Sequence, residues 1–129
     1  MSRRDDTLRL RDMLDAAEAA IRVLGDHTAS ELESTEVLAL AVPHAVEIVG
    51  EAASRVSREF CEAHPEIAWS AVTGMRHRIV HDYFAVDYER LYDTVHNDLP
   101  PLIAQLERIL VEDADHGEAG RRSRKPDVG

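Results

Sequence analysis

One cysteine (Cys61), one lysine (Lys125) and an aromatic content of 5% are the scarcest features of this 129-residue sequence. A single cysteine makes no internal disulfide, so the fold must be held by its core, and a reducing cytoplasm is the expected compartment. The 6 glycines and 5 prolines are too few for a fibrous or low-complexity chain. No uninterrupted apolar run approaches the roughly 18 residues that a bilayer-spanning helix needs, so no membrane association is expected. The opening residues, Met1-Ser2-Arg3-Arg4-Asp5-Asp6, lead into no apolar stretch of the kind a secretory signal carries. Basic charge is also short: 15 Lys+Arg against 25 Asp+Glu give a formal net charge of −10. That balance excludes a protein that grips nucleic acid by blanket phosphate neutralisation, and no DNA binding is expected. It leaves room for a small local cationic site. The longest stretch without an acidic residue is 67–81, which holds Arg76, His77, Arg78 and His81.

Hydrophobic residues make up 44% and charged residues 31% of the chain, as in an ordinary globular domain. The length fits one domain, and at this size folding removes about two-thirds of the unfolded chain's surface from water. Helical periodicity dominates. Leu10, Met13, Leu14, Ala17, Ala20, Ile21 and Leu24 recur at three- and four-residue spacing and predict a helix over 5–24, stopped by Gly25. A capping box is available from Thr28 with Glu31 or from Ser30 with Glu33. The stretch 31–62 is periodic again, and Pro43 within it predicts a kink or a junction of two helices. His64-Pro65 ends that run. A further helix is expected from about residue 66 to 81 or 82, then a turn over 83–87 with Asp87 as a cap. A last helix carries Leu91, Val95, Leu99, Leu102, Ile103, Leu106 and Leu110, with Pro100-Pro101 expected to bend or interrupt it. No stretch alternates as a strand does. The expectation is an all-α, antiparallel bundle of four to five helices over residues 1–112. The stretch 113–129 loses the periodicity, balances four basic against four acidic residues, and reads as a flexible tail.

The chemistry concentrates in Gly74-Met75-Arg76-His77-Arg78-Ile79-Val80-His81-Asp82-Tyr83-Phe84. Met75, Ile79 and Val80 would anchor this helix in the core and leave the polar side chains on the other side. Histidine and arginine together suit phosphodiester cleavage. An imidazole of pKa about 6.5 both accepts and donates a proton near neutral pH. A guanidinium fork matches a phosphate and its transition-state charge. RNA carries its own nucleophile, the 2′-hydroxyl, so such a site needs no metal. By that logic His81 is the acid or base and Arg76 stabilises the phosphate. On a continuous helix, however, residues 76 and 81 lie roughly 140° apart. Either the helix ends at His81, or a second copy of the chain completes the site by two-fold symmetry. On residue types alone, a solvated helix face has the same composition. His77 and His81 also have the i, i+4 spacing of helical zinc ligands, but position 78 is an arginine, which repels a cation. No metal and no cofactor are expected.

Arg76-His77, three residues, then His81-Asp82-Tyr83 resembles the Arg-x4-His-x-Tyr signature of the HEPN superfamily, and more narrowly of the HepT-like ribonuclease toxins. The similarity extends over about 74–106, including Asp93-Thr94-Val95-His96-Asn97-Asp98-Leu99-Pro100-Pro101-Leu102. It also takes in Glu47-Ile48-Val49-Gly50-Glu51-Ala52-Ala53 and His64-Pro65-Glu66-Ile67-Ala68-Trp69. The resemblance implies an all-α homodimer with a cleft at its interface, lined by the arginine and histidine of both subunits. It implies a metal-independent endoribonuclease of a toxin–antitoxin pair, with RNA as substrate. It also implies a minimal nucleotidyltransferase as antitoxin, which silences the nuclease by transferring AMP to the motif tyrosine. Carried onto this sequence, Arg76 and His81 are the catalytic residues, His77 and Asp82 support them, and Tyr83 is the residue modified. The rival expectation is a HEPN domain that binds a nucleotide or a partner without cleaving RNA.

The other polar residues invite structural readings. His27, His44, His64, His96 and His116 have no partner spacing. Trp69 reads as core or interface, Tyr88 and Tyr92 as packing residues, and Cys61 as a small buried hydrophobe. Arg121, Arg122, Arg124 and Lys125 read as part of a solvated end.

Overall fold

The computed structural model describes the backbone of residues 2–81 and 85–123, with side chains to Val80 and from Ala85 to Ala114. Eight α-helical segments, a π-helical segment and one pair of very short strands follow in order: α1 (Arg3–Leu24), α2 (Ala29–Ser34), α3 (Glu36–Ser54), α4 (Arg58–Ala63), α5 (Trp69–Thr73), α6 (Met75–Ile79), β1 (Val80–His81), β2 (Ala85–Val86), α7 (Tyr88–Asp93), the π segment (Thr94–Asp98) and α8 (Leu99–Ser123). The all-α class stands. The number of helices exceeds four or five because three expected helices are divided into shorter ones, each for an identifiable reason.

α1 starts where Ser2 and Asp5 form a reciprocal capping box, and it stops at Gly25, whose φ of 52° favours a residue without a Cβ. Of the two capping boxes available to the next segment, Thr28 and Glu31 form the one observed. α3 continues through Pro43, which is buried. The expected junction at that proline does not occur, because α3 packs along α1 and the packing outweighs one missing donor. The helix instead ends at Ser54 and restarts after Ser57. The Ser57 hydroxyl caps α4 by accepting from Phe60 N–H. Asp6, only 4% exposed, reaches across from α1 and accepts from Ser57 N–H at 2.8 Å and from its hydroxyl at 2.7 Å. A buried carboxylate in the first turn of α1 thus sets the corner between α3 and α4.

The helix expected over 66–82 is two short ones. Gly74 closes α5 and opens α6, and a Cβ there would lie 3.1 Å from Ser70 O. The chain turns extended at Val80, where β1 and β2 pair antiparallel with Val80 opposite Val86 and His81 opposite Ala85. Asp87 caps α7 by accepting from Arg90 N–H, as expected. The interruption expected from the proline pair takes the form of the π segment, which leads directly into Pro100 and Pro101. A proline ring crowds the carbonyl four residues earlier, here those of His96 and Asn97, and the wider π turn gives them room. α8 then continues as helix to Ser123, past the end of the periodicity. Its Asp113 accepts from Arg3 Nε at 2.8 Å and from the Thr7 hydroxyl at 2.7 Å, which ties residue 113 to α1.

The core is formed by Leu10, Met13 and Leu24 of α1, Val42, Val46 and Val49 of α3, Ile79, Leu91, and Leu99 and Leu106 of α8. α3 alone among the described helices is long and apolar enough to cross a membrane, and half of that window is buried within the fold. Trp69 packs against the core and its indole N–H donates to His64 O at 2.9 Å. Cys61 is half-buried against the same core. Burial first, and then the nearby Asp6 charge, push its thiol above the ordinary value. Alkylation of Cys61 by iodoacetamide at pH 7 is therefore expected to run slower than that of a free thiol, as timed by mass spectrometry.

Candidate active site

α6 carries the motif. Met75 and Ile79 are buried and fix its inner face, while Arg76, His77 and Arg78 are all exposed. Because α6 ends at Ile79, residue 81 lies in β1, beyond the helix. Two consequences follow. The 140° separation computed for a continuous helix does not apply, so helix geometry no longer requires a second copy to complete the site. The i, i+4 relation of His77 and His81 as helical metal ligands is lost as well. Asp82 and Tyr83, like the side chain of His81, lie outside the described residues.

The two arginines part company. The Arg76 Nε lies 3.6 Å from Glu47 Oε1 on α3, with 64% of the Arg76 side chain exposed and 41% of Glu47. Arg78 Nη2 lies 3.6 Å from Asp98 Oδ2 in the π segment. An acid-free stretch of sequence is therefore not an acid-free site, since one carboxylate is brought to each arginine from a distant element. Sequence reading missed both. The Glu47 segment belonged to the family-like pattern, but its spacing from Arg76 announces no contact.

Gly50 explains how α3 comes so close. A Cβ at that position would sit 3.3 Å from Val72 O and 3.5 Å from Thr73 O. The missing side chain lets α3 lie against the end of α5, immediately before the Gly74 turn. Glu47, three residues earlier on the same face of α3, then reaches α6. On the other side, Arg78, Asn97 and Asp98 border a cavity of about 200 Å³ that Met75, Leu102 and Pro101 also line. They also border a polar cavity of about 230 Å³ that takes in Arg90 and Asp93.

The remaining histidines bear out their structural reading where they are described with partners. His27 Nδ1 meets Leu24 O at 2.8 Å, His64 Nδ1 meets Glu66 at 2.9 Å, and the ring of His96 lies 4.3 Å from that of Tyr92, centre to centre, tilted by 41°. Tyr88 and Tyr92 pack against the core.

α6 thus presents Arg76 at the core's surface and ends before the strand that holds residue 81 in a chain that is otherwise helical. The family model "Ribonuclease HepT-like" matches residues 13–109, and the chain belongs to that family, which is of HEPN type. Among relatives, "Putative RNase MJ1380" of Methanocaldococcus jannaschii is 33% identical over 109 residues, covering 84% of this chain and 100% of that one. "Probable ribonuclease HepT" of Thermococcus cleftensis is 41% identical over 69 residues, covering 54% of this chain and 63% of that one. "Putative RNase TTE0752" of Caldanaerobacter subterraneus is 36% identical over 74 residues, covering 57% and 66%. No solved structure matches the chain.

Proposed function

We propose that this protein is a metal-independent endoribonuclease of a toxin–antitoxin pair, with Arg76 and His81 as its catalytic residues. The observation that carries the reading is Arg76: an exposed guanidinium on a helix anchored by buried Met75 and Ile79, five residues before His81 and just ahead of the break into the hairpin. The names of the relatives point the same way. In the reaction, a base removes the proton of an RNA 2′-hydroxyl, and the 2′-oxygen attacks the adjacent phosphorus. The bond from phosphorus to the 5′-oxygen breaks, and an acid protonates the departing 5′-oxygen. The products are a 2′,3′-cyclic phosphate and a 5′-hydroxyl. His81 is the proton-transfer group, and Arg76 neutralises the charge gathering on the phosphate. His77 and Asp82 support the pair.

A second copy of the chain would sit on α3. Val37, Leu40 and Ile48 on its outer face are 70%, 68% and 39% exposed, apolar side chains on either side of exposed His44 on the helix that also carries Glu47. Two-fold pairing there would bury them. Silencing comes from a minimal nucleotidyltransferase that moves AMP from ATP to Tyr83. The added phosphate and bulk oppose the approach of RNA and offer Arg76 a competing anion.

The test is RNA cleavage by the purified protein in EDTA, with product ends identified as cyclic phosphate, followed by incubation with a partner nucleotidyltransferase and ATP. Cleavage in EDTA, a gain of AMP mass on Tyr83 and loss of cleavage are the expected results. Activity that appears only with added Mg²⁺ or Zn²⁺ would sink the mechanism. AMP on Tyr88 or Tyr92 instead would sink the regulatory role of Tyr83.

A further inference from the structure

We propose that Glu47 is the positioning residue of Arg76: its carboxylate orients the guanidinium from the Nε side and leaves the outer nitrogens to meet the substrate phosphate. The inference rests on the reading of Arg76 as the cation of the ribonuclease site.

Two independent features of the fold carry it. The first is the contact itself. Glu47 Oε1 faces Arg76 Nε at 3.6 Å. A guanidinium has donors on two edges, and a carboxylate on the Nε edge leaves the outer pair free for a second anion. Both groups remain partly open to water, so the pair is worth little as a stabilising bridge. Its use lies in geometry: the carboxylate gives a long, flexible side chain on a helix of only five residues a preferred direction. The second feature is Gly50. α3 lies so close to Val72 O and Thr73 O that a Cβ at Gly50 would fit only tightly, at 3.3 and 3.5 Å, and this approach brings Glu47 within reach of α6.

An anion beside a phosphate-binding cation has opposite effects on binding and on turnover. It repels the RNA backbone in the ground state, and it orients the group that stabilises the transition state. Glu47→Gln keeps the shape and removes the charge. It is expected to lower kcat about tenfold while KM for RNA stays level or falls, because loosened geometry costs the chemical step and a repelling charge has gone. The unfolding midpoint should stay within about 2 °C of the parent's, as for other exposed pairs. A purely structural role would not split kcat from KM in this way.

The decisive readout is independent of activity. The Nε–H resonance of Arg76 in proton–nitrogen spectra, identified by its loss in Arg76→Lys, should shift in Glu47→Gln. An unchanged resonance overturns the proposal, whether or not the parent cleaves RNA. If Arg76→Ala is inactive and Glu47→Gln cleaves at the parental rate, the role of Glu47 is wrong and the ribonuclease reading stands. Parental activity in Arg76→Ala overturns both.

Discussion

Replacing His81 with alanine is expected to reduce RNA cleavage by about 10²–10⁴-fold, the range that one general acid–base group contributes. Replacing Arg76 with alanine should cost about 10²–10³-fold, the scale of one donor aimed at developing transition-state charge. Folding should survive both changes. Arg76 is exposed, its ion pair with Glu47 lies at the surface, and Met75 and Ile79 still anchor α6. His81 occupies the second position of a two-residue strand, and the backbone pairing with Ala85 does not depend on an imidazole. The measurement is initial rate on a defined RNA with far-ultraviolet circular dichroism alongside. A correctly folded His81→Ala cutting at the parental rate would remove His81 from the chemistry. The two losses should not multiply in the double variant if the groups act on one phosphate as a unit.

The largest stability effect is expected at Asp6. It is 4% exposed and accepts two short hydrogen bonds from Ser57, which itself caps α4. Hydrogen bonds to a charged group are worth about 1.5–3 kcal/mol, and Asp6→Ala leaves the Ser57 N–H at a half-buried corner with no protein acceptor. A loss of about 2–4 kcal/mol is expected, or roughly 8–15 °C in the unfolding midpoint for a chain of this size. Asp6→Asn, which keeps one acceptor oxygen, should fall between. Arg58→Ala, at the start of the same short helix, is the contrast. Its pair with Glu62 is 3.2 Å long with the arginine 91% exposed, so a change within about 0.5 kcal/mol is expected. Urea titrations of the three variants check this directly. An Asp6→Ala protein as stable as the parent would mean that the α3–α4 corner does not depend on the buried carboxylate.

Local chemistry alone made several features legible. The apolar faces of α1, α3 and α8, the stop at Gly25, a capping box at Thr28–Glu31 or Ser30–Glu33 and the Asp87 cap each arise within a few residues of sequence, where helical period and side-chain reach operate. The arginine–histidine motif was legible for the same reason, as a run of neighbouring residues, and the family it resembles is the family to which the chain belongs. What spacing could not supply was where helices break and which charges meet. Pro43 predicts a kink or a junction by its own chemistry, yet no junction forms, because α1 packs along α3 on both sides of it. The break falls at Ser57 because Asp6, 51 positions earlier in the chain, binds there. α6 stops at Ile79, where the chain turns extended to pair with β2, so the helical angle between residues 76 and 81 was computed for a helix that does not exist. Glu47 and Asp98 come to Arg76 and Arg78 from α3 and the π segment only after folding. The sequence by itself determined the helical class, the caps and the residues of the motif, since each depends on neighbours a few positions apart. Tertiary structure alone decided the corners and the ionic partners of the motif, since a buried carboxylate and a side-chain-free contact at Gly50 act between elements that no local period connects.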